Sequence, residues 1–127
     1  MEVVHRRDIV PEPSTDPIFA GNVSTRMLLD APDGRLRFNL VHFEAGGRTH
    51  WHTHSFEQAL LITEGRGILA TEAHEHVVEA GDIVVVPPLE KHWHGGTETS
   101  AMTHVAILQA GATTILEPVE RIRTRDA

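Results

Sequence analysis

Hydrophobic and polar positions alternate with a period of two along much of this chain. Across residues 36–44, Leu36, Phe38, Leu40 and His42 fall on one face and Arg37, Asn39, Val41 and Phe43 on the other, the pattern of an extended strand. Residues 101–109 repeat it, setting Met102, His104, Ala106 and Leu108 against Thr103, Val105 and Ile107. Residues 59–63 and 83–86 are apolar on both faces, which predicts strands inside a sandwich. Val3, Val4, Ile9 and Val10 predict a short strand within residues 2–10. Residues 18–29 predict another, residues 68–72 and 75–79 a hairpin, and residues 91–94 a further extended piece.

Glycine and proline punctuate these runs. Three prolines make residues 11–17 a loop, Asp30-Ala-Pro-Asp-Gly34 signals a turn, and Glu64-Gly-Arg-Gly67 reads as a tight turn. Gly46-Gly47, Ala80-Gly-Asp82, Pro87-Pro88 and Gly95-Gly96 end or break the remaining segments. No helical periodicity stands out. Short, evenly spaced strands predict an all-β sandwich or barrel, and the lack of repeats or linkers predicts one domain over residues 1–127. A barrel core over about residues 36–109 would follow N-terminal strands in 2–29 and precede a C-terminal tail, 117–127, whose last seven residues read as frayed and charged.

Composition narrows the chemistry. A net charge of −7 argues against a general nucleic-acid or anionic-membrane binder. No signal-peptide core and no 18-residue apolar run is present, so the expected location is the cytoplasm. The absence of cysteine removes disulfides, thiol nucleophiles and thiolate ligands, leaving His, Asp, Glu and amide oxygens to bind a metal. Ten histidines in 127 residues is the compositional outlier.

The histidines concentrate in Arg48-Thr-His-Trp-His-Thr-His54 and Glu90-Lys-His-Trp-His-Gly-Gly96. An extended backbone would put His50, His52 and His54 on one face. His52 and His54 then offer two donors, Gln58 can return from the next strand with a carbonyl oxygen, and His92 and His94 share a second strand face. His74 and His76 flank a hairpin turn and read as solvated, and His5 as surface. Phe38, Val41, Leu60, Ile62 and Trp93 are candidates for the wall around such a site.

Both stretches also resemble the two cupin motifs. Gly46, His52, His54 and Gly65 fit the first, with Gln58 where an acid usually stands. Gly81, Pro87 and His92 fit the second, with Leu89 replacing its middle glycine and Gly96 its asparagine. The fifteen-residue gap between them resembles that of compact microbial cupins. This implies a cupin-type jelly-roll β-barrel. In finer detail the two histidine stretches, with Thr103-His-Val-Ala-Ile107, are similar to the small cupins of the manganese-dependent hydroxynitrile lyase and carboxymuconolactone-decarboxylase-associated group. That resemblance implies His52, His54, Gln58 and His92 as ligands of a divalent ion, manganese foremost, with iron, zinc, nickel or copper as alternatives. It implies His94 and His104 as catalytic residues near a small-molecule substrate, and Asn39 and Val41 in its pocket. His50, which stands where the lyases carry a small residue, is expected at the pocket edge or behind a ligand, and Trp93 in the pocket wall. Homodimers are common among small cupins, and strands in residues 2–10 and 18–29 would extend a partner's sheet.

The proposed ligand set has an electrostatic consequence. Three neutral imidazoles and an amide leave a divalent ion its full +2 charge, favouring Lewis-acid chemistry over redox cycling with oxygen. Together with the resemblance, which implies cleavage or synthesis of a cyanohydrin, this gives a Lewis-acid lyase with a histidine as general base as the expected reaction. A non-heme iron or copper oxygenase and a non-catalytic binding module are the alternatives. If Glu57 rather than Gln58 met the metal, a carboxylate would restore the oxygenase pattern.

Overall fold

A computed structural model describes residues 1–120. The strands are β1 (Glu12–Pro13), β2 (Phe19–Ala20), β3 (Val23–Asp30), β4 (Arg37–Phe43), β5 (Arg48–Thr49) and β6 (His52–His54). They continue as β7 (Gln58–Thr71), β8 (Glu75–Glu79), β9 (Ile83–Val86), β10 (His92–Gly96), β11 (Met102–Leu108) and β12 (Thr113–Ile115). The helical content of the described residues is two 3-10 turns, Arg6–Asp8 and Pro32–Gly34. No described helix is long and apolar enough to cross a membrane.

All strand pairs are antiparallel, and they make two sheets that share β7. Its first half pairs with β9 and β11, and β11 leads on to β4, β3 and β1. Its second half pairs with β8 and β10, and β10 leads on to β5 and β6, which carry β2 and β12. The changeover falls at Gly65, whose φ of +74° suits glycine and whose Cβ, if present, would lie 2.1 Å from the Ala101 carbonyl oxygen. The expected reversal over residues 64–67 is thus a bend within one 14-residue strand. Phe43, Leu60, Ile62, Leu69, Met102 and Ala106 close the main core between the sheets. Ile68, Ala70, Trp93 and Val119 form a second cluster with Trp51 packed against it.

Several expectations change. Residues 2–10 hold no strand. A strand pair forms instead at Glu12–Pro13, inside the stretch read as loop. Pro13 is tolerated because β1 is an edge strand and its nitrogen has no ladder partner to serve. Of the two N-terminal segments expected to extend a partner's sheet, only residues 18–29 supply strands, and β3 pairs within the chain. Gly95-Gly96 does not break β10: a Cβ on Gly95 would sit 2.4 Å from the Gly47 carbonyl oxygen, so these glycines allow close strand approach. The short β12 was missed because its pairing to β6 is purely tertiary. The tail at 121–127 lies outside the described residues.

Leu89, standing where the second motif usually has glycine, keeps the backbone shape of a glycine, with φ +68°. Its side chain is 72% exposed and gains little packing in return. A branched side chain in this region costs about 1–2 kcal/mol. Leu89→Gly should therefore raise stability by about 0.5–1 kcal/mol in urea denaturation, after the added flexibility of the unfolded chain is deducted.

Candidate metal centre

Strand register assembles the histidines. His92 of β10 lies directly opposite His52 of β6, and their rings are 4.2 Å apart between centroids. His54, two residues along β6, falls on the same face. One ring nitrogen from each of His52, His54 and His92 can be chosen so that all three lie within 4.8 Å of one another, and all three residues are buried. Gln58, at the start of β7, places Oε1 3.0 Å from His54 Nε2.

Hydrogen bonds orient these rings. The Nδ1 atoms of His52, His54 and His92 meet the carbonyls of His50, Phe56 and Glu90 at 2.8, 3.0 and 2.8 Å. A carbonyl can only accept, so each neutral ring carries its proton on Nδ1 and leaves an Nε2 lone pair for the interior. His92 Nε2 is buried without a hydrogen-bond partner. With Nδ1 protonated, His54 Nε2 and Gln58 Oε1 are two acceptors facing each other. A cation relieves that repulsion, and donors about 2.1 Å from one ion at right angles are about 3.0 Å apart. The cluster therefore fits a divalent ion. Glu57 is exposed beside Arg35, Leu36 and Ile107, away from the cluster, so the carboxylate alternative is not met.

His94 follows on the same face of β10, and His104 reaches it from the other sheet, with His104 Nε2 2.9 Å from His94 Nδ1. The His94 backbone N–H donates to Thr49 Oγ1 at 3.2 Å. Burial, opposed in part by the His50 carbonyl, pushes His52 down to about 4. Burial and the neighbouring His52 push His92 down to about 3. Burial also pushes His104 down to about 4, and burial with the adjacent His104 holds His94 well below the ordinary imidazole range. Neutral imidazoles at pH 7 follow, as metal ligands and proton acceptors require.

A cavity of about 210 Å³ adjoins these groups. Asn39, Val41, His52, His54, Gln58, His94 and His104 all contribute to its wall. Three expected residues do not: His92, which joins the cluster but lines a neighbouring cavity with Leu69 and Val86, and His50 and Trp93. The strand breaks between β5 and β6, where the His50 and Trp51 N–H groups donate to the Ile18 and Glu117 carbonyls. His50 thus serves the site through its carbonyl and is absent from the cavity lining. Trp93 alternates to the opposite face of β10, beside Trp51 and Val119. Leu60 and Ile62 belong to the main core, and Phe38 is half-buried outside the cavity wall. His5, His74 and His76 are exposed as expected. Ser14, Asp16, Phe19, Phe56 and Thr113 also line the cavity and were not anticipated. The Ser-x-Asp-Pro signal of a side-chain-capped turn was present at residues 14–17, but nothing in it shows where the loop lands.

An all-β barrel whose two sheets enclose a histidine cluster defines a cupin. The chain belongs to the cupin family, whose domain matches residues 39–108. Among its relatives, an (R)-mandelonitrile lyase from Granulicella tundricola is 45% identical over 91 residues, 70% of this chain and 70% of that protein. A cupin-like protein from Thermotoga maritima matches with a TM-score of 0.83 at 30% identity, covering 89% of this chain and 90% of that one. The polyketide cyclase RemF from Streptomyces resistomycificus shares the fold, with a TM-score of 0.80 at 22% identity over 94% of this chain and 88% of that one.

The depressed histidines make stability pH-dependent in the metal-free protein. An unfolded imidazole takes up its proton near pH 6.5, whereas buried His52 resists until about 4. Stability is therefore full above about pH 6.5 and is lost progressively as pH falls toward 4, by about 3 kcal/mol for His52 alone. Urea denaturation of chelator-treated protein at steps between pH 8 and pH 4 should show this fall.

Proposed function

We propose that this protein is a metal-dependent lyase that cleaves or forms cyanohydrins. The observation that carries this reading is that the His94–His104 pair shares a cavity wall with His52, His54 and Gln58, whose cluster His92 completes. The similarity to an (R)-mandelonitrile lyase supports it. His52, His54 and His92 would hold a divalent ion with Gln58 as the fourth ligand, manganese being the proposed metal. With no carboxylate in the set, the ion would keep its full charge and act as a Lewis acid toward a bound hydroxyl, carbonyl or cyanide.

Proton handling falls to the histidine pair. When His94 Nδ1–H donates to His104 Nε2, His94 Nε2 carries a lone pair and can accept the hydroxyl proton of a cyanohydrin. The O–H electrons form the carbonyl, the C–C bond to the nitrile breaks, and departing cyanide takes the proton from His94 to leave as hydrogen cyanide. Synthesis runs the same steps backwards. The apolar part of the wall, from Phe19, Phe56, Val41 and Leu108, suits an aromatic or aliphatic substituent on the carbonyl carbon.

His94→Ala and His104→Ala should each lower kcat for mandelonitrile cleavage by about 10²–10⁴-fold. Metal content measured by elemental analysis should not change. A fully metallated wild-type chain that turns over no cyanohydrin, or that consumes oxygen with an organic substrate, would overturn the reading. Gln58→Glu should bind the ion more tightly yet turn over more slowly, because the added negative charge reduces the Lewis acidity. Competition with a metal chelator and steady-state kinetics on one preparation check both halves.

A further inference from the structure

The mouth of the cavity carries a charge that the chemistry above does not use. Apart from the histidines, Asp16 is the one ionisable residue lining the cavity among the described residues. It stands on the exposed side, whereas the cluster donors are buried. The carboxylate is also held in place. The Asp16 N–H donates to Ser14 Oγ at 3.2 Å, and Asp16 Oδ1 accepts the Ile18 N–H at 2.9 Å. Its carbonyl accepts the Phe19 N–H at 3.1 Å.

Residues 14–19 thus form a strap tied down at both ends. The Ser14 N–H donates to the Val23 carbonyl at 2.9 Å, at the start of β3 in one sheet. Phe19 pairs with Thr49 of β5 in the other. The strap places Asp16 at the opening as a fixed group.

Consider what the buried end would attract without it. A divalent ion with neutral ligands draws in any anion, and a carboxylate-bearing compound would compete for the open positions. A negative charge at the entrance opposes that. We propose that Asp16 determines specificity by charge, admitting uncharged substrates and disfavouring those with a carboxylate at the end facing the opening. The inference rests on the lyase reading for its substrate class, an uncharged carbonyl compound or its cyanohydrin. The residue acts on entry and binding and takes no part in bond making.

Two probes of nearly equal shape isolate the charge: 4-formylbenzamide and 4-formylbenzoate. Their affinities for the zinc-loaded full chain can be read from amide chemical shifts, without turnover. The neutral probe should bind about threefold more tightly at low salt, the effect of two unit charges about 6 Å apart in water. The ratio should fall toward one at 0.5 M salt, as screening removes the repulsion. Asp16→Asn should bring it to one or below at low salt, because the attraction of the ion for the carboxylate is then unopposed. The asparagine carbonyl still accepts the Ile18 N–H, so the strap keeps its turn, and an unchanged thermal midpoint checks this. A ratio that persists in Asp16→Asn, or that ignores salt in the wild type, overturns the proposal. If neither probe binds, the charge filter falls, and mandelonitrile cleavage by the manganese-loaded chain, measured in parallel, shows separately whether the lyase reading falls too.

Discussion

The register that sets His92 across from His52 is the constraint on which this centre depends. A strand turns alternate residues to opposite faces, so one pairing decides four positions together: His52 and His54 on β6, His92 and His94 on β10. A slip of one residue would send Trp93 inward and the imidazoles out. The close approach of β10 at Gly95 to Gly47 and Arg48 helps to fix that register, because no side chain at position 95 could be accommodated there.

The second requirement is that two sheets meet at one cluster. β7 belongs to both, and its bend at Gly65 turns the chain from one wall to the other. Gln58 therefore approaches from one sheet while His52, His54 and His92 stand on the other. The His94–His104 hydrogen bond spans the same gap. Burial acts on His52, His92, His94 and His104 in one direction, lowering the affinity for a proton and leaving lone pairs free. The same desolvation that would otherwise destabilise the fold thus suits these rings to the ligand and base roles proposed for them.

The cavity wall combines buried nitrogen and oxygen lone pairs, the apolar side chains of Val41, Phe19, Phe56 and Leu108, and the carboxylate of the exposed Asp16. The proposed substrate, with one polar reacting end, an apolar body and no negative charge, matches that mixture. The N-terminal strap thereby becomes part of the site, although it lies outside the matched cupin domain at 39–108.

Local pattern alone determined the fold class, since period-two alternation and Gly/Pro punctuation need no tertiary information. It also put His52 with His54 and His92 with His94 on shared strand faces through HxH spacing, while the full set with Gln58 is what the resemblance to cupins implied. Tertiary structure decided the rest. The strand break at residues 50–51 removed His50 from the cavity, and the parity of β10 carried Trp93 to the outer cluster. Residues 64–67, a turn by composition, became a bend because both halves of β7 found partners. The hydrogen bond between His94 and His104, and the placement of Asp16 on the cavity wall, join segments distant in sequence. Such contacts depend on how the sheets curl and pair, and no local periodicity records that.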